Sequence, residues 1–157
     1  MQKLHLRPMQ DGDIELFKKW LNCPHVSRWY TQPGDWIHEV KTRNTEFSFI
    51  KHFIALHNDK PVGFCQYYEY VKSGEAWHGN LDTTGVYSID YLIGEPEYLR
   101  KGLGKQMVYG LLNLIKMEKG YKTVIVQPEP DNTGSCNTLL SCGFSLDQSN
   151  GIFILKI

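Results

Sequence analysis

Apolar residues recur along this chain at two spacings, and the change from one to the other marks its elements. Leu4, Leu6 and Pro8 sit at alternate positions and predict a short first strand. Ile14, Phe17, Trp20 and Leu21 lie at the spacing of one helical face, with Asp11 placed to cap that helix. Asn22-Cys23-Pro24 ends it, because proline disfavours helical angles in the residue before it. The segment His25 to Asp35 reads as aromatic and irregular, and Trp36 to Arg43 as a second helix. Phe49 to His57 and Val62 to Tyr70 read as strands joined through Asn58-Asp59-Lys60-Pro61, a hairpin by its turn chemistry.

Residues 72 to 85 form a polar loop, followed by an apolar run from Val86 to Ile93 that reads as a strand. A helix is predicted over Gln106 to Lys119 and ended by Gly120, with a short buried strand from Thr123 to Val126. Pro128-Glu129-Pro130-Asp131-Asn132 is a turn able to cap a last helix, Thr133 to Cys142. Gly143-Phe144 and Ile152 to Ile157 supply closing strands. No repeat or linker interrupts this order, which predicts one α/β (α+β) domain over residues 1–157 with a mixed sheet and interspersed helices.

Composition narrows the function classes. A chain of 157 residues is long enough for a sizeable core. Lys+Arg and Asp+Glu balance at 17 each, which argues against an electrostatic nucleic-acid or membrane binder. No apolar run approaches the roughly 20 residues of a spanning helix, and Met1 to Arg7 has no apolar stretch of signal-peptide length. Cys23, Cys65, Cys136 and Cys142 lack metal-ligand spacing, and the last three fall in strand-like or helix-like runs, as buried thiols do. The expectation is a reduced, cytoplasmic protein without disulfide or metal.

Chemistry enters at Leu99-Arg100-Lys101-Gly102-Leu103-Gly104-Lys105, between the Val86–Ile93 strand and a helix. A strand, a basic Gly-x-Gly turn and a helix start gather free backbone N–H groups and a positive helix end, a site suited to phosphate. A Walker-type loop would need Gly at 99 and Ser or Thr at 106, where the chain has Leu99 and Gln106. A dinucleotide fingerprint would need a third glycine where Met107 stands.

The order of elements and residues then resembles the GNAT-superfamily N-acetyltransferases, in particular the aminoglycoside 6′-N-acetyltransferases and the related siderophore acyltransferases. The resemblance covers nearly the whole chain. It runs through Trp20-Leu21-Asn22, Pro24-His25-Val26, Pro61-Val62-Gly63-Phe64 with Gln66 and Tyr68, and Ile89-Asp90. It continues through Ile93-Gly94-Glu95-Pro96, Lys101-Gly102-Leu103-Gly104, Pro128-x-Pro130-x-Asn132 and Gly143-Phe144. It implies a splayed mixed sheet and acetyl-CoA as donor, with its pyrophosphate on the amides of Leu99, Arg100, Lys101, Gly102, Leu103, Gly104 and Lys105. It implies that backbone groups of Leu92 and Ile93 hold the pantetheine arm, with Asn132 contributing from across the split; as a residue, Asn132 reads equally as a helix cap.

Asp90 is the candidate catalytic residue. A lone carboxylate in an otherwise buried strand is costly without partners or work. The work is available: a primary amine attacks a thioester only when neutral, and with a pKa near 10.4 only about one molecule in 2,500 is neutral at pH 7. A nearby carboxylate can orient the amine and take its proton, and the resembled family places its base in this context. On the acceptor side the resemblance implies Trp29 and Tyr30 against sugar rings, Gln66 and Tyr68 from one strand face, and Glu75 and Asp82 from the long loop. The implied acceptor is a small polycationic amine met by a monomer or homodimer. Two departures stand out: Leu139 occupies the place of the tyrosine that protonates the leaving thiolate in many members, and Gln127 the place of an acid before the Pro-x-Pro turn. Acylation of a siderophore hydroxylamine precursor or of a peptide amine, or acyl-CoA binding without catalysis, are the alternatives.

Overall fold

The computed structural model describes residues 3–120 and 122–157. Met1 and Gln2, part of the stretch read for a leader, lie outside them. Seven strands form one sheet in the order β1-β2-β3-β4-β5-β7-β6. They are β1 (Leu4–Pro8), β2 (Ile50–His57), β3 (Lys60–Glu69), β4 (Val86–Ile93), β5 (Thr123–Val126), β6 (Ser145–Asp147) and β7 (Ile152–Lys156). Among the described residues only β4 and β5 are parallel; every other pairing is antiparallel. The crossover between them carries α4 (Leu103–Lys116). The other helices are α1 (Ile14–Leu21), α2 (Pro24–Ser27), α3 (Pro33–Lys41) and α5 (Thr133–Ser141).

The helices divide between the two faces of the sheet. Phe17, Trp20, Leu21, Val26, Ile37 and Val40 of α1–α3 pack on Ile54, Phe64 and Leu92. Leu103, Met107, Val108, Leu111, Leu112 and Ile115 of α4 recur at helical spacing and pack on Ala55, Cys65, Ile89 and Val124 of the opposite face, with Leu139 of α5. Gly94 lets α1 close on the end of β4, since a Cβ there would lie 2.1 Å from the Trp20 ring. The turn between β2 and β3 holds both Asn58 (φ 50°) and Asp59 (φ 66°) in left-handed backbone, the two-residue geometry that suits the twist of paired strands.

Several predicted boundaries need correction. Asp11 does not cap α1; it opens a 3-10 turn, Asp11–Asp13, and pairs with Arg43 at 2.7 Å. Asp13, which precedes α1, makes no side-chain cap to it either; its carboxylate accepts from the Gln10 N–H at 2.8 Å, closing the start of the 3-10 turn, while Arg7 holds it at 2.8 and 3.0 Å. The segment read as irregular contains α2, with Pro24 in its first turn, and α3 begins at Pro33 rather than Trp36. The helix predicted from Gln106 to Lys119 runs from Leu103 to Lys116.

Candidate active site

The sheet splits where β4 and β5 part. They pair only over Val86↔Thr123, Tyr87↔Val124 and Ser88↔Ile125, with the Ser88 hydroxyl donating to the Ile125 carbonyl at 2.7 Å as a last tie. Beyond it β4 continues to Ile93 alongside β3 alone, and a cleft of about 910 Å³ opens along its free edge. The Tyr30 hydroxyl donates to the Tyr91 carbonyl and accepts from the Tyr91 N–H at 3.2 Å, so the main chain of Tyr91 faces the split. Alternation along a strand then turns the main chain of Leu92 toward β3 and that of Ile93 back to the split. Leu92 therefore borders the cleft without the open backbone groups expected of it, which corrects half of that pair. The Ile93 carbonyl accepts from His25 Nε2 at 2.9 Å, leaving its N–H on the open edge.

At one end of the cleft stands the glycine turn. Arg100 (φ 61°) and Gly102 (φ 77°) both take left-handed backbone, and Gly102 precedes α4 directly. Because the helix starts at Leu103, the amides of Leu103, Gly104 and Lys105 are its unbonded first turn. Leu99, Arg100, Gly102, Leu103, Gly104 and Lys105 all line the cleft. Lys101 does not: its ammonium sits 5.4 Å above the Tyr98 ring, beside a smaller hollow lined also by His57 and Gln106. The place of a Cβ at Gly104 looks across to Thr138 of α5, 3.9 Å away. Asn132 lines the cleft and also caps α5, accepting from the Ser135 N–H at 3.2 Å, so both readings of that residue have a footing.

Deeper in, Asp90 faces the α1–α3 side. It lies opposite Gln66, which lies opposite His52, a row of three polar side chains across β4, β3 and β2. Gln66 Nε2 donates to Asp90 Oδ2 at 2.9 Å, and Gln66 is only 2% exposed. Gln66 thus holds the carboxylate and is not among the residues lining the cleft, which moves it from contacting an acceptor to orienting Asp90. Burial pushes the Asp90 carboxyl up to about 6, a rise that the Gln66 bond opposes and the nearby acids Glu75 and Glu129 reinforce. Burial, with the Arg43 cation, pushes His52 down to about 4 and keeps it neutral.

The surrounding wall is acidic and aromatic. Trp29, Tyr30, Tyr68 and Glu75, which the resemblance places on the acceptor side, line the cleft, and Tyr68 donates to Glu75 Oε1 at 2.7 Å. Arg28 covers one face of the Trp29 ring at 4.5 Å. Asp82 is not part of the wall. It is exposed, and its carboxylate is folded onto its own loop, accepting from the Thr84 N–H at 3.0 Å. Three residues were missed. Trp77 and Glu129 line the cleft. Glu39 of α3 has its carboxyl pushed up to about 7 by burial and by the Asp90, Glu75 and Asp35 charges.

The sequence profile of the acetyltransferase (GNAT) domain family matches residues 9–150. The chain belongs to that family. Two curated relatives, each named aminoglycoside N(6′)-acetyltransferase type 1 and from Klebsiella pneumoniae and Serratia marcescens, are 27% identical over 145 residues, covering 88% of this chain and 72% of each relative. Among solved structures, AAC(6′)-Ib in complex with paromomycin and acetyl-CoA superposes with a TM-score of 0.83 at 24% identity, over 98% of this chain and 93% of that one. The same protein with coenzyme A and kanamycin gives 0.82 at 24% identity, over 98% and 95%. At this identity the likeness is one of fold.

Within the GNAT fold the two departures acquire locations. Leu139 is fully buried among Met107, Leu111 and Phe144, a core position with no hydroxyl to offer. Gln127 lines the cleft beside Glu129, so an acid stands two residues from the place where one is absent. Among the described residues no cluster of three or more His, Cys, Asp or Glu is arranged to hold a metal ion, and no helix is long and apolar enough to cross a membrane.

Proposed function

We propose that this GNAT protein moves the acetyl group of acetyl-CoA to a primary amine of a small polycationic acceptor, the 6′-amine of an aminoglycoside. The observation that carries the reading is Asp90. Its carboxyl is held up to about 6 at the split in the sheet, near enough to neutrality to act as a base and ionised at pH 7, before a wall holding Glu75 and Glu129, with Glu39 close enough to feel the Asp90 and Glu75 charges. The names of the 27%-identical relatives support the same acceptor class. The glycine turn fits the donor: free amides at the start of α4, with Arg100 and Lys105, suit a pyrophosphate.

Acetyl-CoA supplies the thioester. Asp90, aimed by Gln66, orients the ammonium and takes its proton; the Ile93 N–H on the open edge of β4 polarises the carbonyl. Most of the acceleration comes from holding amine and thioester together between the two walls. Every residue named lies in one chain, so a single domain acting as a monomer or in a homodimer holds a complete set. The test is release of coenzyme A thiol across an amine panel. An aminoglycoside with a free 6′-amine is acetylated, its Michaelis constant rises with salt, and its 6′-hydroxyl analogue is inert at that position. Release with a hydroxamate precursor or a peptide amine in place of the aminoglycoside would replace the acceptor and keep the acyl transfer.

A further inference from the structure

We propose that Tyr91, aimed by Ser135, is the group that protonates the sulfur of coenzyme A as it leaves; the proposal rests on the acetyl-transfer reading above. Asp90 and Tyr91 are successive residues of a strand, so their side chains point to opposite faces of the sheet. The Asp90 carboxylate meets Gln66 on the α1–α3 face, and Tyr91 packs against the core of the α4–α5 face. An amine delivered by Asp90 attacks the thioester from the first face, and the sulfur departs toward the second. Leu139, buried in the core of that face, offers nothing to receive it.

Tyr91 does. It lines the cleft, and its hydroxyl lies 2.8 Å from Ser135 Oγ and 3.5 Å from the Ser135 carbonyl oxygen. Ser135 also lines the cleft and belongs to the first turn of α5, a helix of nine residues whose free amides favour negative charge nearby. A Ser135 hydroxyl donating to the phenol oxygen leaves the phenol proton only the longer bond to the carbonyl, and so available to sulfur. Burial raises the Tyr91 phenol well above the usual tyrosine range, which keeps it protonated at working pH.

The step balances. The ammonium first gives one proton to the Asp90 carboxylate, which passes it to water; the neutral amine nitrogen then forms a bond to the acetyl carbon, and its second proton passes to the same carboxylate. The carbon–sulfur bond breaks with its electron pair on sulfur, which takes the phenol proton of Tyr91 and leaves as free thiol. Tyr91 regains a proton from water at the mouth of the cleft through the Ser135 hydroxyl, and Asp90 gives one up to water.

The test has two readouts. Tyr91→Phe is expected to lower kcat tenfold or more in the thiol-release assay. It should also raise the pH at which the thiol of bound coenzyme A ionises, followed by thiolate absorbance with coenzyme A alone, by about one unit, tenfold in thiolate population. A purely structural Tyr91 would not move that titration. Ser135→Ala keeps the ring and removes the hydroxyl that aims it; a threefold or larger loss of kcat with a shift of the same sign is expected, and this variant decides if Tyr91→Phe does not fold. Turnover within threefold of wild type together with an unmoved thiol titration overturns the proposal and leaves acetyl transfer standing. Failure of the wild-type protein to acetylate any amine instead removes the reading on which it rests.

Discussion

The α4–α5 wall of the cleft presents main-chain amides, a helix start and neutral hydroxyls, whereas the α1–α3 wall presents carboxylates and aromatic rings. The first wall comes from one continuous segment, Leu99 to Lys105, joined by the start of α5. The second draws Trp29 and Tyr30 from the α2–α3 connection, Tyr68 from β3, Glu75 and Trp77 from the long loop, and Asp90 from β4, with Glu39 of α3 behind it, close enough to feel the Asp90 and Glu75 charges. Short of proline, a substitution leaves a backbone N–H in place and can only obstruct it. A carboxylate can be removed one at a time. The donor wall should therefore fail by added bulk and the acceptor wall by lost charge, and each failure should leave the other wall's ligand bound.

The largest effect is expected at Asp90. Asp90→Asn should lower turnover about a hundredfold, the usual scale for a lost general base, with coenzyme A affinity by calorimetry unchanged. In the wild-type protein kcat should fall as pH drops through about 6, where the carboxyl takes up its proton, and the variant should lose that limb. Stability should move the other way. A carboxyl whose folded pKa is raised above the unfolded value of about 3.9 binds more protons in the native state. Its contribution thus turns unfavourable as pH climbs from about 4 through about 6. At pH 7 the amide should stabilise the fold by about 1–3 kcal/mol, read as a higher Tm. A lower Tm with unaltered turnover would make Asp90 a structural residue.

Gly104→Val comes next, and it addresses the opposite wall. The added methyls point toward Thr138 across the gap between α4 and α5, so the fold has room for a Cβ while the coenzyme channel narrows. Coenzyme A binding should weaken at least tenfold, about 1.4 kcal/mol, with the melting temperature nearly kept. Unchanged affinity in the folded variant would detach the glycine turn from the donor.

Glu39→Gln should have a smaller effect, confined to the acceptor. The Glu39 carboxyl titrates near 7 because it is half-buried among other acids. Below that pH it loses its charge, so the Michaelis constant of a polycationic acceptor should climb from pH 8 to pH 6 at constant coenzyme affinity. The variant should show a constant raised about threefold to tenfold at pH 8 and a flatter pH dependence, since single charge pairs near a surface are weak.

The same contrast governs what the sequence disclosed. β4 and β5 were legible to the residue, since a continuous apolar run bounded by turns has one strand reading. The glycine turn was legible in composition but not in register: Gly104 sits inside the first turn of α4, where glycine looks like turn chemistry, and the predicted start fell three residues late. Asp90 was legible because a charge inside an apolar strand is conspicuous. Glu39 was not, since an acid on the polar side of an amphipathic helix resembles every solvated one; it is burial in the folded chain, with the approach of Asp90 and Glu75, that raises its carboxyl. The four residues of α2 are too few for a period. Which of Leu92 and Ile93 opens its backbone depends on the parity fixed by Tyr30, a contact 61 residues away in sequence.

The smallest effect is expected at Asp82, and it sharpens the border of the acceptor wall. Resemblance puts an acid of the acceptor site here, but the structure leaves Asp82 exposed and outside the cleft. Hydrogen bonds from Thr84 hold its carboxyl below the usual range, so the carboxylate serves its own turn and is charged throughout the pH span in which Asp90 and Glu39 titrate. Asp82→Asn keeps an oxygen to accept the Thr84 N–H and removes only the charge. If the wall ends at Glu75, the Michaelis constant of the acceptor stays within about twofold and its salt dependence keeps its slope, because a solvated charge outside the cleft is screened from the acceptor. A rise as large as that from Glu39→Gln would mean that the loop from Gly74 to Gly85 folds over the acceptor when it binds, and Asp82 would then join the acidic wall.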